Sequence, residues 1–225
     1  VCSSDLVWSY GYRPLAAGTA LTLFTAGDHT DNFISANDPL EGFHVHNDFS
    51  IPAVLVNTGA APLTTNFNAG PIAPAEMMLH GGATDFAVVR YTVPAAGKYD
   101  VAAGFRTIHT GDVDVHVVVN GVAVFVQSLL AGESAAASPG ILDLNAGDVI
   151  DFLVGINGEL GGDSTAFNGT VTPSAPTPPP AIATAGADLT ANEKPDDAGD
   201  SQNPNPAVPQ WLYGYRLQAA GTALT

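Results

Sequence analysis

Between residues 85 and 130 the chain alternates apolar and polar positions with a period of two, the spacing at which side chains of an extended strand face opposite sides. Val89, Tyr91 and Val93 alternate with Val88, Arg90 and Thr92 until residues 94–97 (PAAG) break the run with the composition of a tight turn. Tyr99, Val101, Ala103 and Phe105 then share one face of a second strand, and Val113, Val115, Val117 and Val119 share one face of a third. Asn120-Gly121 follows at once, flanked by β-branched residues. A two-residue type I′ hairpin needs positive φ at both central positions, which this dipeptide tolerates, so a fourth strand is predicted to return from Gly121.

The same reading extends outward. Trp8, Tyr10 and Tyr12 are spaced by two and are predicted to be buried together on one face of a strand, with Trp8→Ala costing about 3–5 kcal/mol. Residues 19–25 (TALTLFT) run back from a turn, 26–50 read as a polar loop, 51–57 (IPAVLVN) as a strand and 58–74 as a second long loop. Strands are predicted again at 76–80, 140–144, 148–156 and 165–172, and the Ala-rich stretch 129–137 is read as at most a turn or two of helix. Roughly ten short strands without crossover helices imply an all-β antiparallel sandwich, and the long early connections favour the jelly-roll type.

An internal repeat sets the domain organisation. Residues 8–22 and 211–225 match at twelve of fifteen positions, both opening on a Trp-x-Tyr-Gly-Tyr-Arg series. Residues 174–182 fall in a Pro-rich stretch of polyproline type, stiff and extended. One module is therefore expected over 7–173 and the truncated start of a second copy over 183–225. The segment before the second Trp has no counterpart before the first, so the first copy is read as lacking its opening strand. Residues 187–191 are expected to dock in its place. Residues 1–6 (VCSSDL) read as the in-frame translation of a short-read sequencing-adapter end, a scar outside the fold. Cys2 goes with it, leaving no disulfide framework and no thiol chemistry.

The chain carries 22 acidic against 6 basic residues, a formal net charge of −16, which argues against nucleic acid and against anionic membranes, whose binding rests on neutralising phosphates. A self-repelling surface explains the charge more simply than cation binding does. Asp also favours turns and caps, where it needs no ligand. No apolar run approaches the ~20 residues that a membrane-spanning helix needs.

The series W-x-Y-G-Y, M-L-H-G-G, V-V-R-Y-T-V-P-A-A-G-K-Y-D-V, V-x-V-N-G, L-x-A-G-D-V-I-D-F-L-V-G and D-S-T-A-F resembles a repeated module of secreted bacterial proteins. It is similar to the jelly-roll carbohydrate-binding and galactose-binding-like domains appended to exported enzymes and surface proteins. The resemblance covers residues 8–173 and resumes at Trp211. Its motifs are core and turn residues, so it implies a fold and carries over no binding residue.

Three constellations bear on chemistry. His44 and His46 form an H-x-H pair, with His80 elsewhere, but the carboxylate that a cupin-type metal site adds a few residues later is missing, and these three histidines are not expected to share a metal. For calcium, Asp112, Asp114 and Asp163 are the candidates, the last closing the Gly-rich loop 155–163, and Asp28, Asp31 and Asp38 form a comparable cluster. For sugar stacking, Phe33, Phe43 and Phe49 stand among His, Asn and Asp in the long early loops and make better candidates than the alternating rings of the first strand. His44 and His46 join them as candidate ligand contacts. No nucleophile elbow, H-E-x-x-H, P-loop or dinucleotide fingerprint occurs. The expectation is a non-catalytic, secreted or cell-surface module that binds glycan or another extracellular surface. A structural spacer repeat is the rival reading, and a metal-dependent enzyme the remote one.

Overall fold

A computed structural model describes residues 7–15, 20–35, 37–47, 49–64 and 70–174. The adapter-like residues, the Pro-rich stretch beyond 174, the second copy and the expected docking of 187–191 lie outside the described residues. Within them the chain forms thirteen strands: β1 (Trp8–Pro14), β2 (Thr22–Leu23), β3 (His29–Thr30), β4 (Leu40–His44), β5 (Ala53–Asn57), β6 (Met77–His80), β7 (Asp85–Thr92), β8 (Gly97–Thr107), β9 (Val113–Val119), β10 (Val122–Leu129), β11 (Ser134–Leu144), β12 (Val149–Gly155) and β13 (Thr165–Pro173). They build two sheets, in the orders β10-β9-β12-β7-β1-β2 and β11-β8-β13-β6-β5-β4-β3. Every strand pairing is antiparallel. This is an all-β antiparallel sandwich of jelly-roll type.

The period-two pattern places the core. Val89 and Tyr91 of β7, Tyr99, Val101 and Phe105 of β8, Val113, Val115 and Val117 of β9, and Ile150, Phe152 and Val154 of β12 all face inward and are buried. Phe167 of β13 joins the layers, its ring 5.3 Å from Phe152 and 5.2 Å from Phe105. The Asn120-Gly121 turn is the one its sequence requires, with φ of 50° and 83° and Val119 opposite Val122. Asn120 Oδ1 also accepts from the Val149 N–H at 2.9 Å, tying the hairpin to the start of β12.

Three expectations are corrected. The Ala-rich stretch is a turn that leads into strand β11 and holds no helix, because Ala135 and Ala137 alternate with exposed Ala136 and lie opposite Phe105 and Ala103, where a small side chain is what fits beside the aromatic core. The polar region 26–50 contains β3 and β4; Gly42 masks the alternation of β4, and a Cβ there would strike the Val54 backbone of β5. Trp8, Tyr10 and Tyr12 face inward but are only half-buried, since β1 has the two-residue β2 as its outer neighbour. Trp8 meets Tyr91 edge-on at 4.9 Å, Tyr10 stacks on Phe43 at 6.1 Å, and Tyr12 tilts against Phe24 at 5.6 Å.

Both outer faces also carry apolar side chains. On the first sheet Phe86, Val88, Val118 and Leu153 are buried under Leu15 and Leu21. On the second sheet Leu40, Ala53, Leu55, Met78 and Ala166 are buried with Ile72 and Ile108, and Phe33, Ile34, Ile51 and Leu63 pack against them.

Candidate functional site

The outer face of the second sheet is where the loops leave a cavity. Cross-strand register aligns His44 of β4, Ala53 of β5 and His80 of β6 in one row, with Leu55 and Met78 in the next. Strand spacing puts His44 and His80 about 10 Å apart, with only the methyl group of Ala53 between them. The resulting cavity, of about 490 Å³, is floored by Leu40, Ala53, Met78 and His80 and walled by Phe33, Ile34, Phe49, Ile51, His109 and Leu160. Ser50 and Ser164 add hydroxyl groups.

Each wall is held by its own local chemistry. Asp38, buried, accepts from the Ile34, Ser35 and Leu40 N–H groups, so its carboxylate closes the 31–39 loop and leaves Phe33 and Ile34 over the sheet. The Phe33 ring packs edge-on against His44 at 5.2 Å. Asn47 organises the next loop by accepting from Phe49 N–H and donating to Ile51 O, and Phe49 projects from it 71% exposed. Opposite, the 108–111 and 162–164 segments are joined by Ile108 N–H to Ser164 O at 2.9 Å and Gly111 N–H to Gly162 O at 2.8 Å. That approach requires glycine: at Gly111 a Cβ would meet Asp163 Oδ1 and Gly161 O, and at Gly162, with φ of 79°, it would strike His109 Nδ1.

Polar groups gather at the cavity floor. His80 Nδ1 donates to Gly81 O at 2.7 Å. Burial pushes the His80 imidazolium to a lower pKa, only partly offset by that hydrogen bond and by Asp163. Asp163 has no exposed surface; burial raises its carboxyl, against the opposing effects of the Gly161 N–H and of the His80 and His109 rings. Asp163 Oδ1 and His109 Nδ1 are buried without a hydrogen-bond partner among the described residues. Across Leu160 and Gly161 lies a second, polar groove of about 570 Å³, lined by Thr110, Asp112, Asn157 and Glu159.

Of the residues singled out for ligand contact, Phe33 and Phe49 line the cavity, and His44 backs Phe33. His46 turns away: its Nε2 donates to Gly27 O at 2.7 Å, and its ring lies 4.5 Å from that of His44. Phe43 belongs to β4, not to a loop, and points into the sandwich against Tyr10 and Phe24, because its neighbour in sequence took the outward position. The calcium candidates are not brought to one point. Asp114 pairs with His116 at 2.7 Å on the outer face of the first sheet and accepts from Asn157 N–H, Asp112 lines the second groove, and Asp163 is enclosed behind His109. Among the described residues no group of three His, Cys, Asp or Glu side chains is placed to hold a metal ion. Nor do Asp28 and Asp38 need one, since Asp28 caps a short turn through Thr25.

Sequence reasoning did not single out His109, Met78, Ile51 or Leu160. The paired glycines at 161–162 before Asp163 were the available signal that a loop closes tightly there.

Against protein-family models and against curated protein sequences the chain finds no match. Similar solved structures include a Podospora anserina GH26-CBM35 β-(1,4)-mannanase, at 22% identity and a TM-score of 0.35 over 56% of this chain and 28% of that one. A family 35 carbohydrate-binding module from an environmental isolate aligns at 15% identity and a TM-score of 0.32, over 56% of this chain and 99% of its own. The CBM51 of Clostridium perfringens GH95, in complex with methyl-galactose, aligns at 10% identity and a TM-score of 0.38, over 54% and 88%. The architecture is established by the two sheets themselves.

Proposed function

We propose that this chain is a non-catalytic glycan-binding module of an exported or cell-surface protein, and that the cavity on the outer face of the second sheet is its site. The observation that carries the reading is an open cavity of about 490 Å³ in which the rings of Phe33 and Phe49 stand over a floor with a few polar groups. A sugar ring has an apolar C–H face and a polar rim, and a mostly apolar pocket with few convergent polar groups is complementary to both. Catalysis has less to build on. Among the described residues no hydrogen bond links His80, His109 and Asp163.

A glycan array probed with the full chain, in calcium and in chelator, tests this. Binding to a defined glycan class that is weakened about tenfold by Phe49→Ala is the expected result. Silence across the array in both conditions favours a spacer, and binding that vanishes in chelator assigns calcium a part that the three aspartates as placed do not explain.

A further inference from the structure

Resting on that reading, we propose that His80 Nε2 is the hydrogen-bond acceptor that selects the ligand, taking the hydroxyl proton of an uncharged sugar whose apolar face lies on Phe33 and Phe49. The argument begins with the tautomer. Nδ1 lies 2.7 Å from the Gly81 carbonyl oxygen, which can only accept, so Nδ1 carries the proton. In the neutral ring Nε2 is then a bare lone pair. Among the described residues Nε2 has no hydrogen-bond partner, and it is not among the buried unpartnered atoms, while the ring lines the cavity. Among the described residues Nε2 is therefore an unpartnered acceptor on a ring that lines the cavity.

The surroundings keep the ring neutral and select against charge in the ligand. Partial burial disfavours the imidazolium, and the ionisable groups facing the ring are Asp163 and His109. Among the described residues no Lys or Arg lines the cavity, so a sugar carboxylate finds no fixed cation among them, in a chain whose formal charge is −16. A sugar ammonium fares no better. Among the described residues no carboxylate lines the cavity, Asp163 beside it has no exposed surface, and the walls of Phe33, Ile34, Phe49, Ile51 and Leu160 would strip water from the cation without replacing it. A hydroxyl group asks for one acceptor and no counter-charge, which is what the floor provides.

Two measurements test this. Ring ¹⁵N NMR of the free chain at neutral pH should find His80 protonated at Nδ1 and bare at Nε2; the reverse tautomer overturns the proposal. Titration with the methyl glycosides of glucose, galactose, mannose and xylose, set against glucuronic acid and glucosamine, should move the His80 Nε2 resonance with a neutral glycoside. His80→Leu should then weaken that binding about tenfold or more, the effect of leaving a buried hydroxyl unpaired, while His80→Gln, which keeps an acceptor near Nε2, stays within about threefold. If a neutral glycoside perturbs Phe33 and Phe49 while His80 stays silent and His80→Leu is harmless, the inference falls and the glycan reading stands. Preference for glucuronic acid or glucosamine has the same consequence. If no sugar perturbs any of the three residues, both fall.

Discussion

The two outer faces of the sandwich begin from similar material and end differently. Each carries buried apolar side chains and at least one acidic group that burial places at risk. On the first sheet Asp151 is 2% exposed, and Arg90 grips it with two parallel hydrogen bonds of 2.6 and 2.8 Å while Arg13 approaches to 3.5 Å. The hydrogen-bonded carboxylate raises the Arg90 pKa, whereas burial lowers that of Arg13. Leu15 and Leu21 close over this face, and it becomes a second core. On the second sheet the loops stand apart around Ala53, the carboxylate of Asp163 has two imidazoles nearby in place of a guanidinium pair, and a cavity remains. A buried charge with a matched partner can be sealed in, while a neutral ring beside a small residue can be left facing space.

The largest effect should come from breaking the sealed face. Asp151→Ala strands Arg90 and Arg13 and is expected to cost about 3–5 kcal/mol in urea unfolding, while the folded fraction keeps its ligand affinity. Equal losses of stability and affinity would mean that the faces are not independent. On the open face, Gly162→Ala forces a side chain into a left-handed backbone position and against His109; a loss of about 1–3 kcal/mol is expected, together with weaker binding. Phe49→Ala should separate the two properties most cleanly. With the ring 71% exposed, stability should stay within about 0.5 kcal/mol while affinity drops about tenfold.

The smallest effect is in pH dependence. The folded pKa of His80 lies below its ordinary 6.5, so the stability linked to its neutral form is intact above pH 6.5 and is lost as the pH falls from there through the folded value. Wild type should therefore lose more stability than His80→Leu on acidification below pH 6.5, as read by thermal melts. Asp163 runs the other way. Its folded pKa lies above 3.8, so its favourable contribution is complete below 3.8 and lost as the pH rises through the raised value, and Asp163→Asn should help at pH 7 and cease to help near pH 4.

Much of the fold was legible because period-two burial is local. Val89 and Tyr91, the valines of β9 and the Asn-Gly turn needed no knowledge of their partners to be placed. The site was legible only in fragments. Phe33 and Phe49 stood out as rings among polar loop residues, but Phe43 looked the same and turned inward, because the parity that decides its direction belongs to a strand that Gly42 obscured.

What the sequence determined by itself is therefore the set of interactions between near neighbours: alternation, turn chemistry, the exclusion of helices and the distribution of charge. Tertiary structure decided what required distant segments to meet. Cross-strand register put Ala53 between His44 and His80, and the loops after β8 and β12 came together only because Gly111 and Gly162 leave room for Asp163 and His109. Which carboxylate is sealed and which lies behind a cavity depends on residues far along the chain, Arg90 for Asp151 and His80 for Asp163. The energy of burying a charge is set by those distant partners, and no local pattern in the sequence encodes them.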